Sequence, residues 1–176
     1  MIYIISILLT LFGMRQEVIF DFNKDSNIKD WRVVNDGVMG GLSQGEFELS
    51  ADGHGVFYGH VSTKNNGGFS MVRYPIQELK SDKSSKIILK IKGDGKKYQL
   101  RIKNNQSNFY SYITTFETSG EWEELVISVN KMFPSFRGRK LNQVNFSHEK
   151  IEEIAFLIAN KKEENFKLLI DSIELK

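Results

Sequence analysis

Gly41-Leu42-Ser43-Gln44-Gly45 has the G-x-S-x-G spacing that, between a strand and a helix, lifts a serine nucleophile onto a strained elbow. That context is missing here. Glu46 to Ser50 continues as a β-patterned run, and only His54, His60 and His148 could serve as a base. Ser43 reads instead as a hydroxyl that closes its own turn. Gly37 to Gly41 is neither a dinucleotide fingerprint nor a P-loop, and no helix N-terminus follows it to receive an anion. His148-Glu149 opens a zinc-protease pattern, but Glu152 stands where the second histidine belongs. Asp21 and Asp171 fall on the first and last strand patterns, too little for a metal assignment. No catalytic residue, metal or cofactor is assigned.

The residues suited to recognition cluster in two glycine-rich turns, Asn35-Asp36-Gly37-Val38-Met39-Gly40-Gly41-Leu42-Ser43 and Asn65-Asn66-Gly67-Gly68-Phe69. Glycines there let the backbone approach a neighbour closely. Asn35, Asp36, Asn65 and Asn66 offer donors and acceptors, and Arg73 adds a planar fork for a carboxylate. On one reading Asn35, Asp36, Gly37, Met39, Gly40, Gly41, Ser43, Asn65, Asn66, Gly67, Gly68 and Arg73 form a single partner-binding rim. On the other, the Asx residues hold their own turns and Arg73 pairs with Asp36. Both readings place the two turns side by side.

The elements that must position these turns have a period of two. Val18, Phe20 and Phe22 alternate with Ile19 and Asp21, Ile87, Leu89 and Ile91 lie opposite Lys86, Lys90 and Lys92, and Tyr98, Leu100 and Ile102 lie opposite Lys97, Gln99, Arg101 and Lys103. Gly93-Asp94-Gly95-Lys96 between the last two sets predicts a hairpin with one buried and one basic face. Phe109 to Thr118 carries large side chains on both sides, and Leu125, Ile127 and Val129 continue the alternation. Asn130 to Asn145 breaks the period and reads as the longest loop. Ile154, Phe156 and Ile158, then Phe166, Leu168 and Ile170, give the closing strands, and the best helical stripe is the short Lys150 to Glu153. About ten such runs predict an all-β fold, a two-sheet antiparallel β-sandwich of jelly-roll type.

The 176 residues suffice for one well-buried domain, read here as 17–176. Lys plus Arg total 24 against 22 acids, a net charge of +2 that gives no mandate for nucleic acid. The local stripe from Lys83 to Lys103 is basic and reads as a solvated outer face. With no Cys, disulfides and thiolate chemistry are excluded. Met1 to Met14 is apolar apart from Ser6 and Thr10, shorter than the roughly 20 residues of a spanning helix. Residues 1–16 are set apart as a signal or anchor segment, giving an exported or membrane-associated protein if they act so and a cytoplasmic one otherwise.

Trp31 to Ser43 resembles the signature of the complex I intermediate-associated protein family, assembly factors for NADH:ubiquinone oxidoreductase. Phe57-Tyr58-Gly59, Asn65 to Arg73, Phe133 to Arg139 and Phe166 to Ile173 are similar to its later blocks, in order. The resemblance implies a galactose-binding-like jelly roll without a catalytic centre. It also implies protein partners among respiratory-complex subunits or other assembly factors. The N-terminus lacks the Arg-rich, Ser-rich character of a mitochondrial transit peptide, which points to a bacterial relative. Likeness of this fold to carbohydrate-binding modules gives an alternative, a sugar platform of Tyr110, Tyr112 and Trp122 on a concave sheet face.

Overall fold

The computed structural model describes residues 16–176, and the apolar run Met1 to Met14 lies outside them. Among the described residues, thirteen strands form two antiparallel sheets. In chain order these are β1 (Glu17–Asp21), β2 (Arg32–Asn35), β3 (Gln44–Leu49), β4 (Gly55–Val61), β5 (Ser70–Lys80), β6 (Lys86–Lys92) and β7 (Lys97–Lys103). There follow β8 (Ser111–Glu117), β9 (Trp122–Ser128), β10 (Phe133–Phe136), β11 (Arg139–Lys140), β12 (Lys150–Ile158) and β13 (Glu164–Leu175).

The six-stranded sheet has the order β3-β4-β13-β6-β9, with β1 also on β13. The seven-stranded sheet runs β11-β10-β8-β7-β12-β5-β2. Period-two alternation turns one side of each strand inward. Phe57, Leu89, Ile91 and Leu168 from one sheet, and Val72, Leu100, Ile154 and Phe156 from the other, are 0% exposed. This is the sandwich that the alternation predicts.

Trp31 anchors one end of the core. Its ring stacks between Phe47 at 4.8 Å and Tyr74 at 5.0 Å, one from each sheet, and Phe20 and Phe22 close the cluster. Such pairs add specific geometry to a large buried area.

Three expectations need correction. β6 and β7 are not a hairpin, because β6 pairs β13 and β9 while β7 pairs β12 and β8. Gly93 to Lys96 carries the chain from one sheet to the other, and Asp94 fixes this crossover by accepting from Lys167 N at 2.9 Å and Lys96 Nζ at 2.7 Å. The basic side chains of β6 and β7 therefore face opposite outer surfaces. Second, Asn130 to Asn145 is not one loop, since a 3-10 turn at Val129–Lys131 runs into it and it holds strands β10 and β11. Third, Lys150 to Glu153 begins β12, where pairing to β5 overrides the local helical stripe.

Candidate functional site

The two glycine turns meet on one carboxylate. Asn35 ends β2, and Asp36–Met39 follows as a 3-10 turn that drives the Asp36 side chain inward to 1% exposure. Its Oδ1 accepts from Ser43 N at 3.0 Å. Its Oδ2 accepts from Ser43 Oγ at 2.5 Å, Gly68 N at 2.6 Å and Phe69 N at 3.2 Å. Burial pushes the acid's pKa up, but these hydrogen bonds from Ser43, Gly68 and Phe69 outweigh it and hold it below its ordinary value.

The glycines follow from this carboxylate. A Cβ on Gly41 would stand 2.2 Å from Asp36 Oδ1, and one on Gly67 would stand 2.7 Å from Oδ2. Only a bare backbone fits that close, which is why both turns need glycine at these positions.

Asn35 makes the second tie. Its Oδ1 accepts from Gly45 N at 3.0 Å and from Ser70 Oγ at 2.7 Å, while its Nδ2 donates to Gly45 O at 3.3 Å. β2, β3 and β5 are thereby joined at one end. Ser43 Oγ donates to Asp36 and accepts from Ser62 N at 3.0 Å, so the serine of the G-x-S-x-G spacing is a buried strut.

The predicted rim thus divides. Asn35, Asp36 and Ser43 spend their polar groups inside it, whereas Gly37, Gly40, Asn65 and Asn66 are exposed along its edge. Met39 lies in the 3-10 turn between them. Asn65 and Asn66 hold left-handed backbone at φ 55° and 60°, a conformation asparagine tolerates. Arg73 does not pair with Asp36. The β5 register sends it to the outer face of the seven-stranded sheet, where its Nη1 lies 3.6 Å from Glu153 Oε2.

That outer face was missed in the sequence reading. Pairing registers set Arg32, Arg73, Ala155, Arg101, Ile113 and Phe133 in one row across β2, β5, β12, β7, β8 and β10. Val34, Met71, Leu157, Gln99 and Thr115 form the next row. Glu153, Ala155, Leu157 and Ile113 are 7%, 1%, 8% and 5% exposed although they point away from the core. The alternating small, charged and aliphatic pattern of β12 was the available signal. It has meaning only once its neighbours are known.

Tyr110 and Tyr112 are in ring contact at 5.6 Å, but Tyr112 is buried in the core with its hydroxyl 2.7 Å from His148 Nε2. Trp122 stands on β9 of the other sheet, 4.7 Å from His54. The three rings share no surface. The inward side of β8, with Tyr112 and Phe116, belongs to the core between the sheets. The lysines of the basic stripe are largely engaged: Lys90 meets Asp171 at 2.8 Å, Lys96 meets Asp94 at 2.7 Å and Lys97 meets Glu117 at 3.1 Å. Among the described residues, no three His, Cys, Asp or Glu side chains gather as metal ligands.

The profile described as Complex I intermediate-associated protein 30 matches residues 20–170. The mitochondrial protein of that name from Drosophila melanogaster is 24% identical over 185 residues, covering 91% of this chain and 62% of its own length. Its Mus musculus counterpart is 26% identical, over 89% of this chain and 55% of its own length. The chain thus spans a little over half the length of these relatives. Among solved structures, the family 11 carbohydrate-binding module of cellulosomal cellulase Lic26A-Cel5E of Clostridium thermocellum superposes with TM-score 0.68 at 15% identity. It covers 93% of this chain and 95% of the module. The Clostridium thermocellum family 11 module in complex with a beta-1,3-1,4-mixed-linked tetrasaccharide gives TM-score 0.67, also at 15% identity, over 91% and 94% of the two chains. These likenesses establish the jelly-roll fold.

Proposed function

Because the chain belongs to the complex I intermediate-associated protein 30 family, we propose that it is a non-catalytic docking domain acting in assembly of the respiratory complex. The observation that carries this reading is the Asp36 carboxylate, whose four accepted hydrogen bonds weld two turns into one stiff edge. A preorganised edge binds without a large ordering cost, which suits recognition. Ser43 and Asp36 are buried and bonded to each other and to the backbone amides of Ser43, Ser62, Gly68 and Phe69, so neither is presented to a substrate.

Asn65, Asn66, Gly37 and Gly40 present the edge to a partner, with Arg73 on the adjoining sheet face. The test is co-purification of the full chain from membranes that contain the respiratory complex. Complex I subunits should be enriched, and Asn65→Ala/Asn66→Ala should reduce the yield while the thermal midpoint stays unchanged. Loss of enrichment for the wild-type chain, or a glycan array that binds while complex subunits do not, would overturn the reading.

A further inference from the structure

We propose that the corner built by the β10–β11 turn and the loop entering β8 rests on the surface of an anionic lipid bilayer. The Phe109 ring enters the headgroup layer there, and Arg137 and Arg139 meet lipid phosphates. The proposal goes beyond the docking reading above and does not rest on it.

The pairing of Ser135 with Ser111 sets the end of β10 beside the entry to β8. Phe136 thereby meets Phe109 edge-to-face at 5.1 Å, and Phe109 meets Tyr110 at 5.3 Å. Phe136 and Tyr110 are half-buried, whereas Phe109 is 66% exposed. The loop holds that ring outward. Lys103 Nζ donates to the carbonyls of Asn108 at 2.7 Å and Gln106 at 3.3 Å, and Asn108 Nδ2 donates to Asn104 Oδ1 at 3.0 Å. Lone exposed apolar residues are ordinary, but an apolar group rimmed by charge marks an interaction surface.

The rim is cationic. Asn130 to His148 holds Lys131, Arg137, Arg139 and Lys140 and no Asp or Glu, and Gly95 to Phe116, which contains the loop, is likewise without acids. Arg137 lies 5.2 Å over the Phe136 ring, and Arg139 faces Phe136 across the strand pair. Lys140 lies 5.1 Å over Phe133, on the other side of the same hairpin. All three cations are exposed, and among the described residues none has an ion pair. The acid that touches the loop, Glu152, accepts from Gln106 N at 3.1 Å and is paired with Lys150 at 2.5 Å.

The turn carries its charge against local preference. Arg137 and Gly138 both have left-handed backbone, at φ 48° and 75°, the geometry of a tight hairpin loop. Asparagine or aspartate takes the first of these positions with less strain than arginine. The fold alone therefore does not ask for a cation at this tip.

A bilayer fits the corner better than a nucleic acid. Reading bases takes free side-chain amides or hydroxyls. Those of the loop are turned on the loop itself, as Asn104 Oδ1 accepts from Asn108 Nδ2 and Asn105 Oδ1 from Ser107 N at 2.9 Å. An apolar ring among cations remains, which suits the boundary between anionic headgroups and acyl chains. The corner also leaves the glycine turns clear. Ser70, beside those turns, pairs Ile158 at the end of β12, whereas Lys103, which pins the loop, pairs Glu153 toward its start.

The experiment titrates the full chain with vesicles of phosphatidylcholine, alone or mixed with phosphatidylglycerol. Because the chain has no cysteine, Ser107→Cys beside Phe109 and Val126→Cys on the other sheet each take a single environment-sensitive dye. The dye at 107 should shift to the blue on the anionic vesicles only, and the dye at 126 should not shift. This readout is local, so contact made elsewhere, as through the uncharged side chains of Met1 to Met14, does not register in it. At low lipid concentration Arg137→Asn/Arg139→Gln should lower the response about tenfold or more, and raising salt from about 50 to about 300 mM should weaken it too. Arg137→Asn suits the turn, and near-UV circular dichroism checks the fold. Phe109→Ala, at an exposed position outside the turn, should lower the response severalfold.

An equal shift on neutral vesicles, an equal shift at 126, or a response that the folded variants leave unchanged would each overturn the proposal. So would displacement of the chain by soluble glycerol phosphate, which makes a free phosphate the ligand, or single-stranded RNA binding that the double variant abolishes while vesicles give no response.

Discussion

Replacing Asp36 tests whether one carboxylate holds the two glycine turns together. The side chain is 1% exposed and accepts four hydrogen bonds, two from the buried Ser43 and one each from Gly68 and Phe69 at the rim. Hydrogen bonds to a charged acceptor contribute about 1.5–3 kcal/mol each, and a buried donor stripped of its acceptor costs about 1–3 kcal/mol. The Gly68 and Phe69 amides are half-buried and regain water, so most of the loss comes from Ser43. Asp36→Ala should therefore destabilise the domain by about 3 kcal/mol. Asp36→Asn, which keeps the shape but turns an amide donor toward other donors, should cost about 2 kcal/mol.

Urea unfolding followed by tryptophan fluorescence measures both differences. The pH dependence has a definite sign. A folded-state pKa held below its ordinary value gives stability that is fully present above the unfolded pKa, near 4, and is lost as pH falls through the folded one. The gap between wild type and Asp36→Ala should accordingly narrow below about pH 4. A loss under about 1 kcal/mol for Asp36→Ala at neutral pH, or a gap that widens in acid, would refute the assignment of Asp36 as the tie.

Two more outcomes follow from the same structure. Phe156 is 0% exposed on β12, between β5 and β7, so Phe156→Ala should cost about 3–5 kcal/mol by urea unfolding, with the fold retained only if the parent domain is more stable than that. Tyr58 donates to Glu46 Oε2 at 2.9 Å and Glu48 Oε2 at 3.3 Å, and that bond to Glu46, more than desolvation, pushes its pKa up to about 12. A spectrophotometric titration of wild type against Tyr58→Phe should place its ionisation near pH 12 rather than at the ordinary tyrosine value of 10.0.

The strands were legible because alternation survives without knowledge of partners. Ile87, Leu89 and Ile91, or Phe166, Leu168 and Ile170, must point inward in any sandwich, and all six are 3% exposed or less. Partner choice was not legible. In a hairpin the inward residues of two strands share one face, while in a crossover they face each other through the core, and both give the same alternation in sequence. The turn Gly93-Asp94-Gly95-Lys96 suits either, and the bond from Lys167 N to Asp94, 73 residues away, decides it.

The turns show the same limit. Asn and Asp beside glycine announced tight bends, and one reading had them hold their own backbone. In the structure Asp36 holds the other turn as well, through Gly68 and Phe69. Arg73 was, on one of the two readings, paired with Asp36 to pin the turns together. Its register with Arg32 and Ala155 sends it outward instead, and register depends on pairings up to 82 residues apart, as between Arg73 and Ala155. The proline at 134 concealed β10, since a residue without an N–H argues against a strand that nevertheless pairs Tyr112 on β8.

β13 bears on how the chain is made. Along one edge it is shared by β4, over Glu164 to Ile170, and β1, over Ser172 to Leu175, while β6 takes the other edge. A nascent polypeptide therefore has three earlier strands waiting for a common template until Glu164–Leu175 emerges from the ribosome. The seven-stranded layer has all its members by Ile158 and can assemble first, with its apolar underside in need of shelter during that interval.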